Sequence, residues 1–189
     1  MEKNYFQQIS EYIKWEVNTL NSLDLSSIND VVNLLEEARE RESVIYICGN
    51  GGSAATASHF VCDFNKGVSQ KKNKKFRFVC LNDNIPSIMA IANDCGYEQI
   101  FRMQIEGKIK SNDILFCISG SGNSKNILLA AEYAKSVGAK IIGATGYDGG
   151  DLYKLSDYHL HVPIDNMQIT EDVHIIFDHL LMWILTHTG

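Results

Sequence analysis

Residues 43–64 read SVIYICGNGGSAATASHFVCDF, and this stretch decides the fold. The apolar run at its start predicts a buried strand over 43–50, and the glycine-rich turn that follows leads directly into a helix predicted over 53–64. The same order of strand, turn and helix returns four more times along the chain. Apolar strands that alternate with helices are typical of a parallel sheet covered on both faces.

The other strands are predicted over 76–81, 113–119, 139–146 and 158–164, and the helices that follow them over 85–93, 126–137, 152–156 and 170–185. We therefore expect a five-stranded, doubly wound α/β sandwich with right-handed crossovers. Residues 4–40 carry two apolar stripes at helical spacing, and the second helix is expected to begin after a cap at Ser26 and Ser27. The chain, 1–189, is predicted to be one domain, with 1–40 as a helical extension that covers the domain or joins an oligomer.

The composition argues against several classes of partner. The chain has a net charge of −6, and its lysine run at 71–75 is interpreted as a solvated loop or a local anion-steering patch. Broad binding to nucleic acid or to an anionic membrane is therefore not expected. The sequence shows no signal peptide and no apolar stretch of the roughly 20 residues that span a bilayer. Five cysteines without a CxxC spacing indicate neither a disulfide framework nor a cysteine zinc site, so a reducing cytoplasm is expected.

Two small polar turns follow the first and third predicted strands. They are GNGGS at 49–53 and SGSGNS at 119–124. Neither contains the GxGxxG dinucleotide fingerprint or the GK[ST] of a triphosphate loop. The glycines let the backbone approach a ligand, and Ser119, Ser121 and Ser124 can donate hydrogen bonds to phosphate oxygens. A plain turn with a helix cap would explain one such turn. Two of them at the ends of parallel strands favour a phosphorylated small molecule.

Ionisable residues at helical spacing indicate a metal site. His59 and Asp63 are four residues apart and share a helix face, although exposed His–Asp pairs at this spacing are common. Glu171 and His179 are eight residues apart on the C-terminal helix and also share a face. That apolar helix carries Glu171, His174, Asp178 and His179. Burying such groups is costly unless they are paired or bind metal. His59, Asp63, Glu171 and His179 would form a shell suited to zinc, with iron, nickel or manganese left open.

Four segments together resemble the sugar isomerase (SIS) superfamily. They are CGNGGSAATASHF from 48, AIANDCGYEQIF from 90, SGSGNS from 119 and EDVHIIFDH from 171. Within the superfamily the chain is most similar to aldose–ketose isomerases that convert sedoheptulose 7-phosphate to D-glycero-D-manno-heptose 7-phosphate. That reaction is an early step toward the heptoses of lipopolysaccharide or capsule. The resemblance implies a homotetramer with active sites between subunits and bound zinc.

The resemblance also implies roles for individual residues. The first substrate loop corresponds to Asn50, Gly51, Gly52 and Ser53. The phosphate loop corresponds to Ser119, Gly120, Ser121 and Ser124. A substrate-contacting pair corresponds to Asn93 and Asp94. The metal and catalytic positions correspond to His59, Asp63, Glu171 and His179.

Three of these positions depart from the usual pattern of the family. The family normally has Glu at 63, Gln at 171 and often Thr at 120, where this chain has Asp63, Glu171 and Gly120. We expect proton transfer through a cis-enediol, with Asp63 or Glu171 as the base and His179 as the acid. The metal would act as a Lewis acid on the carbonyl and the adjacent hydroxyl. A structural role is expected for His174, with a second proton relay as the alternative.

Two other functions fit parts of the same pattern. An isomerase of a different phosphosugar, such as a pentose 5-phosphate, would use the same loops. A non-catalytic SIS module would sense a sugar phosphate or tether partners, and such a module has no need for a four-ligand metal shell. The shell therefore favours the enzyme.

Overall fold

A five-stranded parallel sheet forms the central layer of the computed structural model, which describes residues 3–187. Its strands are β1 Ile45–Gly49, β2 Phe78–Cys80, β3 Ile114–Ser119, β4 Lys140–Thr145 and β5 Tyr158–His161. Their spatial order is β2-β1-β3-β4-β5, and every neighbouring pair is parallel. The predicted doubly wound α/β sheet is confirmed, and each strand lies inside its predicted range.

Helices cover both faces of the sheet. In chain order they are α1 Phe6–Asn21, α2 Leu25–Glu40, α3 Gly52–Cys62, α4 Ile85–Cys95, α5 Arg102–Ile105, α6 Lys125–Val137, α7 Gly150–Leu155 and α8 Met167–His187. Apolar residues of α2, α3 and α8 form one core with the sheet, and those of α5, α6 and α7 form the other. Within residues 3–187 no helix combines the length and apolar composition that crossing a bilayer requires.

The predicted cap of the second helix is wrong by two residues. Helix α2 begins at Leu25, not after Ser26 and Ser27. The carboxylate of Asp24 accepts a hydrogen bond from the Ser26 backbone N–H at 3.0 Å. Because Asp24 already satisfies an amide of the first turn, the helix starts earlier than the two serines suggest.

The other helix boundaries differ from the prediction by up to three residues, and two of the differences bear on the site. Helix α8 begins at Met167 rather than at 170, because the Asn166 side chain accepts a hydrogen bond from the Ile169 N–H at 3.0 Å. Helix α3 ends at Cys62, and the chain continues as a π-helical turn over Asp63–Gly67. Asp63 therefore occupies the first position of a widened turn, of a kind often found at functional sites.

The order of the strands fixes where a ligand can bind. The chain leaves β1 to form β2 on one side and then crosses to β3 on the other, so β1 and β3 flank the point at which the winding reverses. In sheets of this order a crevice opens beyond the carboxyl ends of these two strands. The two polar turns, 49–53 and 119–124, follow β1 and β3 directly.

His174 lies in the core between α8 and β4. Its side chain is buried, and its Nε2 lies 3.4 Å from the Thr145 carbonyl oxygen. Burial lowers the pKa of His174 to about 4, and the contact with Thr145 opposes this shift only in part. The ring is therefore neutral near pH 7, which supports the structural role expected for it.

The neutral His174 ring should make stability depend on pH. Its pKa in the folded state, about 4, lies below the ordinary value of 6.5, so the unfolded chain takes up the proton first as the pH falls. The stability that the neutral ring provides is complete above pH 6.5 and is lost as the pH falls toward 4. We expect the unfolding free energy of the wild type to drop relative to His174→Gln by about 1.4 kcal/mol per pH unit in this window. Denaturant titrations at several pH values would measure the difference. Parallel pH curves for the two proteins would contradict the assignment.

Candidate active site

A cavity of about 140 Å³ lies beyond the carboxyl ends of β1 and β3. It is lined by Asn50 and Ser53 of the first turn, and by Ser119, Gly120, Ser121 and Ser124 of the second. Met167 and Glu171 of α8 complete the wall. The structure thus brings both predicted polar turns into one cavity, together with one carboxylate.

The backbone of each turn is suited to a close approach by an anion. Gly51 has φ 55° and ψ −121°, a conformation that residues with a Cβ rarely adopt. It precedes α3, whose first N–H groups have no partner within the helix and carry partial positive charge. In the second turn the Ser124 side chain makes no capping hydrogen bond to α6. Helix capping therefore does not account for this serine. Its Oγ accepts a hydrogen bond from the Ser119 hydroxyl at 3.4 Å, and its own proton remains available to a ligand.

The second turn is held in place by Gly149 and the first turn of α7. Gly122 has φ 65°, and a Cβ added to it would lie 1.9 Å from the Gly149 carbonyl oxygen. The Leu152 N–H donates to the Gly122 carbonyl at 2.9 Å, and the Asp151 N–H donates to Asn123 Oδ1 at 3.1 Å. These contacts fix the turn before any ligand arrives, which reduces the ordering cost of binding.

The side chain of Asn50 is oriented by two residues that the sequence analysis did not single out as site residues. Its amide exchanges hydrogen bonds of 2.9 Å with the amide of Asn126, and Tyr97 donates its hydroxyl proton to Asn50 Oδ1 at 2.9 Å. Asn126 belongs to α6 and Tyr97 follows α4, so neither lies near Asn50 in sequence. No spacing rule could have found them.

Asn93 and Asp94 lie near the end of α4. Both are exposed, and the Asn93 amide donates to Asp94 Oδ1 at 2.7 Å. Neither is among the described residues that line the cavity. Their contact with substrate stays a prediction.

A second cluster contains two histidines and two carboxylates. His59, Asp63, Asp178 and His179 each place one ligand atom within 4.8 Å of the others. His59 Nε2 lies 3.5 Å from Asp63 Oδ2 and 3.8 Å from Asp178 Oδ2, and His179 Nε2 lies 4.0 Å from Asp63 Oδ2. The cluster is buried on the Asp178 side and open to solvent on the side of the histidines.

This cluster differs by one carboxylate from the shell expected from the sequence. Asp178 belongs to it, whereas Glu171 lies against the other end of α3, where a Cβ added to Gly52 would lie 2.8 Å from Glu171 Oε2. Gly52 near the start of α3 lies next to Glu171, and His59 further along α3 lies next to Asp178 further along α8, so the two helices run parallel. Glu171 and Asp178 are seven residues apart, which is a rise of about 10 Å. Glu171 therefore does not lie near His59, although Glu171 and His179 share a face of α8.

Asp178 is the most unusual group of the cluster. Its side chain is 0% exposed, and neither oxygen accepts a hydrogen bond within the described part of the chain. Burial, with the charge of Asp63 as a smaller cause, raises the pKa of Asp178 to about 7. Native proteins rarely leave a buried carboxylate without a partner, so this group needs a physical explanation.

The donor set fits a divalent metal. Two imidazoles and two carboxylates are a common set for zinc, whose bonds to N and O are about 2.0–2.2 Å long. Tetrahedral ligands at that range are about 3.3 Å apart. Three separations in the cluster are 3.5 to 4.0 Å and the remaining ones are within 4.8 Å, so the ligand atoms would have to draw together by up to about 1.5 Å to bind the ion.

Comparisons with known proteins agree with the geometry. The family model of the SIS domain matches residues 4–146. A phosphoheptose isomerase of Helicobacter pylori is 42% identical over 155 residues, which are 82% of this chain and 80% of the relative. A phosphoheptose isomerase of Aliarcobacter butzleri is 36% identical over 149 residues, 79% of this chain and 78% of the relative.

A solved structure shows the same fold over almost the whole chain. The phosphoheptose isomerase of Francisella tularensis is 28% identical, with a TM-score of 0.89 over 98% of this chain and 100% of that one. Helix α8, which carries Glu171, Asp178 and His179, lies beyond the SIS match at 146 but inside this structural likeness. Fold, cavity and relatives agree, and the chain belongs to the phosphoheptose isomerase family of SIS-domain enzymes.

Proposed function

We propose that the protein isomerises sedoheptulose 7-phosphate to D-glycero-D-manno-heptose 7-phosphate. One observation carries the proposal: the serine and glycine turns after β1 and β3 meet in one cavity, and the Glu171 carboxylate forms part of its wall. The relatives named phosphoheptose isomerase support the choice of sugar. We place the reaction in the cytoplasm, in the supply of heptose for lipopolysaccharide or capsule.

The second turn, 119–124, would hold the phosphorylated end of the sugar, and the first turn, 49–53, would contact the rest of the substrate. Ser119, Ser121 and Ser124 donate hydroxyl hydrogen bonds to the phosphate oxygens, while the first amides of α6 add partial positive charge. Binding energy at this remote end positions the reacting carbons without taking part in the chemistry. The fixed geometry of Gly122 keeps the hydroxyl groups in register.

We assign the proton transfer to Glu171. Of the two carboxylates expected as base, Glu171 lines the cavity of the two turns, whereas Asp63 belongs to the histidine cluster. Glu171 takes the proton from the carbon beside the carbonyl and returns it to the neighbouring carbon, and His179 exchanges protons with the oxygens of the cis-enediol. A zinc ion bound at His59, Asp63 and His179 would supply Lewis-acid polarisation of the carbonyl.

Metal removal tests the reaction as a whole. We expect metal-stripped protein to lose turnover of sedoheptulose 7-phosphate and added zinc to restore it. The assay would measure formation of the aldose product. Equal turnover in both preparations would remove the metal from the mechanism. Absence of turnover in both, by folded protein, would indicate a different phosphosugar or a non-catalytic binding module, and a panel of phosphosugars would separate these two.

Replacement of His179 tests its role as the acid. Because His179 is also a proposed zinc ligand, the variant is assayed with zinc at a saturating concentration. Under that condition we expect His179→Ala to lower kcat by about 10²- to 10⁴-fold, because a positioned proton donor contributes that much. His187→Ala is a matched control, since His187 is an exposed histidine near the end of the same helix. Circular dichroism would check that both variants fold. Full activity of His179→Ala would exclude His179 from the reaction.

The base can be assigned by comparing two isosteric variants. Gln is the usual residue of the family at 171, but in this chain the carboxylate at 63 is the shorter Asp. If Glu171 has taken over as the base, Glu171→Gln should lower kcat by about 10²- to 10⁴-fold with little change in KM, because the phosphate turn stays intact. Asp63→Asn is expected to weaken zinc binding instead. A Glu171→Gln enzyme with normal kcat, beside an inactive Asp63→Asn enzyme that still holds zinc, would make Asp63 the base.

We also propose that the N-terminal extension, residues 1–40, joins subunits of a homotetramer. Helix α1 exposes an apolar stripe at Phe6, Ile9, Ile13 and Val17, each at least half exposed. An exposed apolar face of this kind on a surface helix indicates a contact with another chain.

Charge in the stripe should disrupt the assembly. Ile9→Asp with Ile13→Asp is expected to lower the mass measured by sedimentation or light scattering, because buried carboxylates without partners are costly at an interface. Gln8→Asp is the matched control, since Gln8 is exposed on the same helix outside the stripe. An unchanged mass for the double variant would place the subunit contact elsewhere.

A further inference from the structure

We propose that Asp178 is a metal ligand, so that the two carboxylates of α8 divide the work: Asp178 binds the ion and Glu171 serves the sugar. This inference rests on the metal site included in the proposed function. Three features of Asp178 carry it, namely the nitrogen that it faces, the loss of hydrogen-bonding partners on burial, and its position relative to Glu171.

Asp178 faces a ligating nitrogen. Its Oδ2 lies 3.8 Å from His59 Nε2, the atom that also lies 3.5 Å from Asp63 Oδ2. A carboxylate that only orients a ligating histidine hydrogen-bonds to the other ring nitrogen, away from the metal. Asp178 instead points toward the space that the Nε2 atoms of His59 and His179 and the Asp63 oxygen surround.

In its ionised form the buried Asp178 needs a compensating charge. Its side chain is 0% exposed, and both oxygens lack a hydrogen-bond partner within residues 3–187. The neighbours on its helix include the buried Phe177 and Leu181. A bare carboxylate in such surroundings is costly, whereas a divalent cation in contact with it would offset the lost hydration.

The positions of the two helices separate Asp178 from Glu171. Along α3, His59 lies seven residues beyond Gly52, and along α8, Asp178 lies seven residues beyond Glu171. Because the helices run parallel, Gly52 meets Glu171 while His59 meets Asp178. With Asp63 and Asp178 both bound, two carboxylates balance the charge of a divalent ion. Glu171 is then left free of the ion, beside the serine turns.

Equilibrium metal binding is the direct test. Zinc affinity would be measured against a chromophoric chelator, and the coordination of Co²⁺ by its visible absorption, for the wild type, Asp178→Asn and Glu171→Gln. We expect Asp178→Asn to lose more than about 100-fold in zinc affinity, since even an outer-shell partner can contribute 10- to 100-fold. Its Co²⁺ spectrum should change as well, because a ligand is lost. Glu171→Gln should keep the affinity and the spectrum of the wild type.

A second variant covers the case in which Asp178→Asn fails to fold. Asp178→Leu replaces the buried carboxylate with an apolar group of similar size, so the metal-free protein should melt at a higher temperature than the wild type while it binds zinc weakly.

Asp178 variants with wild-type zinc affinity and Co²⁺ spectrum would overturn the assignment, as would a Glu171→Gln protein that loses both. Weaker binding with an unchanged spectrum would make Asp178 a positioning residue and overturn it too. A wild-type protein that binds neither zinc nor Co²⁺ would overturn the metal site itself. Turnover of the sugar phosphate by metal-free protein would independently show that the reaction does not need the metal.

Discussion

The reversal of winding between β1 and β3 is the constraint on which the rest of the structure depends. Parallel strands must be joined by crossovers, and a crossover in each direction from the centre of the sheet leaves a crevice at the carboxyl ends of the two central strands. Both polar turns occupy that crevice. Their glycines and serines therefore meet in space although 70 residues separate them in the chain.

The parallel packing of α3 and α8 holds the two carboxylates Glu171 and Asp178 at different positions along α3. Each helix carries polar positions about two turns apart along its axis, and the position nearer the start of α3 faces the one nearer the start of α8. Gly52 leaves room for the Glu171 carboxylate at the level of the turns, and His59 and Asp63 meet Asp178 and His179 at the other level. A sugar site and a metal site can thus be built from one helix pair, next to each other and with separate carboxylates.

Burial has opposite consequences for two ionisable residues of α8. The His174 ring is neutral in the core because burial lowers its pKa to about 4, and its contact with the Thr145 carbonyl retains a polar partner. Asp178 is as deeply buried but has no hydrogen-bond donor among the described residues. A histidine can lose its charge at neutral pH at little cost, so it suits a structural position. A carboxylate cannot do so as cheaply, which indicates a site that binds a cation.

The sequence by itself determined the α/β class, the five strands, the two polar turns and three members of the histidine–carboxylate cluster, His59, Asp63 and His179. These features follow from local patterns: apolar periodicity, turn residues, and ionisable residues four or eight positions apart at helical spacing. Only the tertiary structure decided that Asn126 and Tyr97 orient Asn50, that Asp24 and Asn166 begin α2 and α8, and that Asp178 rather than Glu171 meets His59. The reason is physical: periodicity shows which face of a helix a residue occupies, but not which level of a neighbouring helix it will meet. That level depends on how α3 and α8 pack against each other and the sheet, which involves residues distant in the chain.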